Sequence, residues 1–152
     1  MLNEDHIQAL RDIVGTDHVA TSRTALLSHS FDATQRQFMP EVVVHPISTE
    51  EVAAIVQLAA RHRLPLLPRG AGSGFSGGAL PLRGGIVVVL TRMNRILEID
   101  SDNLVAVVEP GVVTAKLQAA VEKVGLFYPP DPASKDFSTL GGNIAECAGG
   151  PR

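Results

Sequence analysis

The stretch Leu66-Leu-Pro-Arg-Gly-Ala-Gly-Ser-Gly-Phe-Ser-Gly-Gly-Ala-Leu80 holds the residues best suited to chemistry in this chain. Residues 70–78 contain five glycines: Gly70, Gly72, Gly74, Gly77 and Gly78. Such a run can be neither helix nor strand. It lets backbone approach another object closely and reach positive φ. Successive peptide N–H groups in such a turn converge into a partly positive nest that holds an anion, typically phosphate. The hydroxyls of Ser73 and Ser76 and the cation of Arg69, placed at the mouth, complete a cradle for nucleotide phosphate without a metal. The rival reading is a flexible surface loop.

Two better-known phosphate loops do not fit. Gly72, Gly74 and Gly77 spell GxGxxG, but that fingerprint needs a helix starting inside it to face the pyrophosphate. Gly78, Pro81, Gly84 and Gly85 interrupt the residues that would form the helix. An acidic residue ending a second strand about 20 residues on is also missing. The Walker loop fails because no Lys-Ser or Lys-Thr follows the glycines. A kinase-type loop would need its downstream lysine and metal-binding acids. A second constellation, Pro129-Pro-Asp-Pro132 followed by Ser138-Thr-Leu-Gly-Gly-Asn143, joins a rigid segment to a glycine turn. Two such loops in one small domain favour a large flat cofactor.

Other reactive side chains are sparse. His6, His18, His29, His45 and His62 are dispersed without ligand spacing. None is a credible base, so no catalytic residue and no metal ligand is assigned. Asp32, beside Phe31, reads as a turn or capping carboxylate. The single cysteine, Cys147, excludes an internal disulfide and fits a reducing cytosol. It is expected as a small buried apolar residue rather than a reactive thiol.

The chain of 152 residues can bury one core or two small ones. Its 45% hydrophobic and 19% charged residues are ordinary globular composition. The apolar run Ile86–Leu90 is far too short to cross a bilayer, and the acidic N-terminus is no secretory signal. A net charge of −3, scattered basic residues, no Trp and one Tyr argue against nucleic acid.

The elements that must position the loops follow in order. Asn3 caps a helix to Val14, with Ile7, Leu10 and Val14 inward and Gly15 as the stop. Residues 16–40 read as a long connection with a short helix or turn near Thr21–Leu27. Val42–His45 is a strand. Ser48 and Glu51 form a capping box, each expected to satisfy the other's N–H. The helix it opens reaches His62, with Val52, Ile55, Val56 and Ala59 at apolar spacing. Leu64–Leu67 is the next strand, parallel to the first as in a βαβ unit. The glycine loop leaves from its end, where open α/β sheets bind ligands. Gly85–Leu90 is a strand buried on both faces. Arg95–Ile99 and Asn103–Val108 pair around Asp100–Asp102. A helix follows from Thr114 to Val124, with Leu117, Ala120, Val121 and Val124 as its stripe. Beyond Phe127 lie loop and the second glycine turn, without a closing element.

Taken in order, these loops resemble the FAD-binding domain of the vanillyl-alcohol oxidase / p-cresol methylhydroxylase family. The match rests on Pro68-Arg-Gly-Ala-Gly-Ser-Gly74 with Ser76-Gly-Gly-Ala79, Glu109-Pro-Gly111, Pro129–Pro132, Thr139-Leu-Gly-Gly-Asn143 and Ala148-Gly-Gly-Pro151. Within the family the chain is most similar to the branch of glycolate oxidase D-subunits and D-lactate dehydrogenases. The resemblance implies an α+β fold of the PCMH type. Its two small α/β subdomains would span residues 1–91 and 92–152, the second incomplete and followed in longer relatives by a substrate cap that is absent here.

By position, Arg69, Gly70, Ala71, Gly72, Ser73, Gly74, Ser76 and Gly77 would hold the FAD pyrophosphate. Pro130, Asp131, Pro132 and Ser134 would line the flavin. Thr139, Gly141, Gly142, Asn143, Ala145 and Gly149 would wrap the cofactor further. Relatives with covalent FAD use a histidine in the first loop or a cysteine before the second. This chain has Ser73 and Phe137 there, which implies non-covalent FAD. The implied reaction is oxidation of a 2-hydroxy acid such as glycolate or D-lactate to the 2-oxo acid, with catalytic residues in the absent part. Electrons would pass to partner subunits or a quinone, and the location would be cytoplasmic or at a membrane through partners. The alternative is a truncated, non-catalytic flavin- or nucleotide-binding fragment.

Overall fold

The structure, a computed structural model, describes residues 2–151. Met1 and Arg152, the outer limits of the expected subdomains, lie outside the described residues. Helix α1 (Glu4–Val14) starts at Asn3, whose side chain accepts the His6 N–H at 3.0 Å, while His6 Nδ1 accepts the Asn3 N–H at 3.2 Å. Ile7, Leu10 and Val14 face the core, and Gly15 at φ 87° stops the helix. In the connection after it, Ser22 caps a short α2 (Arg23–Ser28). Strand β1 (Val19–Ala20) was not anticipated, because two residues show no alternation.

Strand β2 (Val42–Val44) leads into α3 (Thr49–His62). Ser48 Oγ caps the Glu51 N–H at 3.2 Å, but Glu51 does not return the bond to Ser48. Its carboxylate accepts the Ile47 N–H at 2.8 Å, one residue upstream. Ile55 and Ala59 are buried, whereas Val56 is exposed. The stripe is therefore narrower than its apolar spacing suggests. Strands β3 (Leu66–Arg69) and β4 (Ile86–Val89) follow.

The sheet order is β1-β2-β4-β3, with β1 antiparallel to β2 and both β2 and β3 parallel to β4. β2 and β3 do run in the same direction, but β4 lies between them and is buried along its whole length. Alternation sends successive side chains to opposite faces. Val42, Val44, Ile86 and Val88 pack on α1 and α3. Val43, Val87 and Val89 pack on Ala20, Leu26 and Leu67. Neighbouring parallel strands need a crossover, usually a helix. Between β3 and β4 that crossover is the glycine-rich segment 70–85. It closes at Gly85, whose φ of 76° and contact with the Pro65 carbonyl leave no room for a side chain.

A second, two-stranded antiparallel sheet is formed by β5 (Ile96–Asp100) and β6 (Val105–Val108). Arg95 and Glu109 close its base through bonds of 2.7 Å from both the backbone N–H and Nη2 of Arg95. These bonds hold the Glu109 carboxyl below its ordinary range. Helix α4 (Thr114–Glu122) lays Leu117 and Val121 against Val112, Leu140 and the inner face of this sheet. It ends two residues earlier than its pattern indicates, and Val124 is exposed.

The second glycine turn contains a helix, α5 (Leu140–Ala145). Tertiary bonds override the poor propensity of two glycines. The Leu140 and Gly141 N–H groups donate to Val112 O and Pro110 O at 2.9 and 2.8 Å, and Thr139 Oγ1 caps Gly142. A buried polar knot fixes the helix to the start of α4. Thr114 Oγ1 accepts from Asn143 Nδ2 at 2.7 Å and meets Ser138 Oγ at 2.9 Å.

Two stability predictions follow from these contacts. Burial, together with His29, His18 and Arg92, lowers the pKa of His45 below its ordinary 6.5. The unfolded chain therefore binds this proton more readily. The stability tied to neutral His45 is complete above about pH 6.5 and falls as pH drops toward the folded value. Melting temperature measured against pH should decline across that window in the parent and decline less in His45→Gln. Asn143→Ala unties the buried knot, and a loss of about 1–3 kcal/mol is expected from urea unfolding.

Candidate functional site

A cleft of about 670 Å³ opens between the glycine loop after β3 and the second loop around α5, with Leu90 and Pro110 contributing to its lining. The loop departs from the carboxyl end of β3, and no helix follows it. Among the described residues, none of the N–H groups of Ala71 through Gly77 donates a hydrogen bond. Gly72 and Gly77 take φ values of 71° and 84°, the left-handed steps that turn successive amides to a common side. The next amide, Gly78, donates to Ser76 Oγ at 3.2 Å, and Leu80 N–H to Gly77 O at 3.1 Å, ending the free run.

Arg69 does not stand at the mouth of the cradle. Its side chain is buried, Nη1 donating to Ala79 O at 3.0 Å and Nη2 to Phe31 O at 2.8 Å. Burial lowers its pKa, against which the nearby Asp32 carboxylate works. The guanidinium pins both ends of the loop to the connection before β2, and its hydrogen bonds go to carbonyls of the chain. Asp32 makes the expected turn, Oδ1 accepting the Thr34 N–H at 2.9 Å.

The two loops touch at three places. Gly70 lies so close to Thr139 that a Cβ would overlap Oγ1. Ser73 Oγ donates to Ser134 Oγ at 3.4 Å. Ser76 Oγ donates to the Glu146 carboxylate. The cleft lining thus brings together Arg69, Gly70, Ala71, Gly72, Ser73, Gly74, Ser76, Pro132, Ser134, Thr139, Gly141, Gly142, Asn143 and Ala145. Gly77, Pro130, Asp131 and Gly149 are outside it. Among the last three, the Asp131 N–H donates to Gly149 O at 2.8 Å, and Gln118 Nε2 donates to Pro130 O at 2.8 Å.

Sequence reasoning placed Gly78, Pro110 and Ser138 in its motifs but gave them no cofactor role, and it missed Phe75 and Glu146, all of which are among the residues lining the cleft. Pro110 could have been found from Glu109-Pro-Gly111, because Gly141 is packed against it. Cys147 is exposed rather than buried. It stands just past α5 at φ 53°, at the end of a run in which Ile144, Ala145 and Glu146 are exposed as well. The dispersed histidines pair in space, His6 with His62 at 4.6 Å and His29 with His45 at 5.6 Å between ring centres. None of them lines the cleft. Among the described residues no group of three His, Cys, Asp or Glu side chains could hold a metal, and no helix is long and apolar enough to cross a membrane. The cleft offers N–H donors, small hydroxyls and close backbone approach, a surface for binding an extended anionic cofactor.

Comparison with known proteins agrees with that chemistry. The FAD binding domain family matches residues 40–152. The glycolate oxidase subunit GlcD of Bacillus subtilis (strain 168) is 45% identical over 153 aligned positions, covering 100% of this chain and 33% of that protein. A D-lactate dehydrogenase of Anaerostipes hadrus is 49% identical over 113 positions, covering 74% of this chain and 24% of that protein. The chain therefore spans about a third or less of the length of these relatives. Among solved structures, p-cresol methylhydroxylase with substrate bound superposes with a TM-score of 0.81 at 25% identity, over 93% of this chain and 28% of that one. An alkyldihydroxyacetonephosphate synthase gives 0.88 at 28% identity, over 99% and 30%. With its glycine cradle, its second loop and these relatives, the chain belongs to the FAD binding domain family of FAD-linked oxidoreductases.

Proposed function

We propose that this chain is the FAD-binding part of a flavin-dependent oxidoreductase that converts a 2-hydroxy acid of the glycolate or D-lactate type to the 2-oxo acid. The observation that carries the binding mode is the run of N–H groups from Ala71 to Gly77 without an acceptor, on a loop lining the cleft. The pyrophosphate lies against Arg69–Gly74, Ser76 and Gly77. The arginine contributes its backbone and braces the loop from behind. Pro132 and Ser134 flank the flavin side, with Pro130 and Asp131 supporting them. Thr139, Gly141, Gly142, Asn143 and Ala145 wrap the cofactor from the second loop, with Gly149 holding Asp131. The residues divide into two subdomains, 1–91 and 92–152, that meet at the cleft.

Bound flavin supplies the hydride chemistry, and the protein supplies position and electrostatics. This chain's own residues hold the anion on amides, exclude side chains at the glycines and keep the cofactor exchangeable. Ser73 and Phe137 cannot form the histidyl or cysteinyl links of covalent relatives, so FAD is non-covalent. The substrate assignment rests on the names of the relatives. A GlcD relative is itself called a subunit, which supports an electron-accepting partner protein. A second reading, a flavin-binding unit without turnover of its own, is favoured by the absence of any histidine from the cleft lining.

FAD titrated into the purified chain should bind with quenched flavin fluorescence. Glycolate or D-lactate should bleach the flavin bands only of a longer protein that carries this chain together with the remaining two thirds of the relatives' length. Flavin bound in that longer protein and not bleached by either acid selects the second reading. Gly72→Val meets the Arg69 guanidinium at a left-handed φ and should abolish FAD binding while circular dichroism stays nearly constant. Equal affinity would overturn the nest. Ser73→Ala should weaken binding by about 1 kcal/mol, the worth of one hydrogen bond. Acid or heat denaturation should release all flavin into the small-molecule fraction. Flavin retained on the polypeptide would refute the non-covalent assignment.

A further inference from the structure

The proposed binding mode leaves one carboxylate of the cleft without a role. Glu146 follows α5, and its side chain reaches across to the glycine loop. Ser76 Oγ donates to Oε2, and the same hydroxyl accepts the Gly78 N–H at 3.2 Å. Oε1 lies so close to Gly78 that a Cβ there would overlap it, and Oε2 is 3.9 Å from where a Cβ of Gly74 would stand. A carboxylate thus lies against the segment whose amides have no acceptor, bonded to it through the Ser76 hydroxyl. Among the described residues no lysine or arginine forms an ion pair with it. The ion pairs seen among the described residues include Arg95–Glu109 and Lys135–Asp131.

Resting on the pyrophosphate reading above, we infer that Glu146 is the internal anion of the glycine loop, a latch that competes with pyrophosphate and must leave when FAD enters. The carboxylate and a pyrophosphate seek the same partly positive backbone, and two anions a few ångströms apart repel. Departure is easy, because Glu146 is exposed and its side chain has freely rotatable bonds. The latch joins the helix of the second loop to the first loop through Ser76, so its release removes one of the contacts between the two walls of the cleft and leaves those at Gly70 and Ser73. Glu146 therefore tunes how readily FAD exchanges. It is a residue governing cofactor affinity, not one taking part in hydride transfer.

Fluorescence titration of FAD into the parent chain, Glu146→Gln and Glu146→Ala tests this. Glutamine keeps the shape and removes the charge, while alanine removes both. Both variants should bind FAD more tightly, on the order of tenfold, and inorganic pyrophosphate should show the same ranking. Without FAD, backbone amides of residues 71–78 should exchange hydrogen faster in Glu146→Ala than in the parent. Weaker binding in both variants would overturn the latch and make the carboxylate an acceptor for cofactor hydroxyls. Unchanged affinity with unchanged exchange would overturn it as well. Equal FAD binding by the parent and Gly72→Val would count against the pyrophosphate cradle instead, and the exchange measurement would still decide whether Glu146 restrains the loop.

Discussion

The structure depends on a topological constraint: β3 and β4 are neighbours and run the same way. After leaving β3 the chain must travel back along the sheet before β4 can begin. A helix would satisfy its own amides during that return. Here Gly78, Pro81, Gly84 and Gly85 deny the helix, and the return is made by loop. The backbone of residues 71–77 therefore reaches the end of the sheet with donors unspent. The row of free amides is a by-product of how the sheet is connected.

A loop this rich in glycine would wander without restraint, because glycine has more backbone freedom to lose than any other residue. Restraint comes from two sides. Arg69 ties the start of the loop to Ala79 and Phe31 from beneath. The second loop restrains it from across the cleft, through Thr139, Ser134 and Glu146. That second loop is rigid because Thr114, Ser138 and Asn143 form a buried, mutually bonded group against α4. Polar groups in such a place must all be satisfied, and these fix one arrangement of α5. Asn143 and Thr139 thus serve the architecture, and the cleft inherits its shape from that service.

Local signals announced the local structure well. The Asn3 cap with Ile7, Leu10 and Val14, the Ser48 cap, and the unbroken run in β4 each dictate their element through nearby atoms. The glycine cluster disclosed the first loop because no other structure tolerates that composition. What escaped depends on partners distant in sequence. β1 exists only through its pairing with β2, and α5 only through Val112 O and Pro110 O. Arg69 was expected to face an anion and instead faces carbonyls 10 and 38 residues away. Cys147 is a small apolar type, yet it lies in the exposed run from Ile144 to Cys147. Glu146 could not be placed from its neighbours, since its contact, Ser76, is 70 residues distant.

The buried fork of Arg69 also limits which relatives can carry a different cation there. Sequence scoring treats arginine and lysine as near equivalents. A guanidinium presents several N–H donors at fixed angles, enough to reach Phe31 O and Ala79 O together, and it is only weakly hydrated. An ammonium is a compact, strongly hydrated point on a flexible stem, and burying it would leave one carbonyl unserved. At this position the conservative exchange is the disruptive one, so a homologue bearing lysine here should carry a compensating change near residue 31 or residue 79.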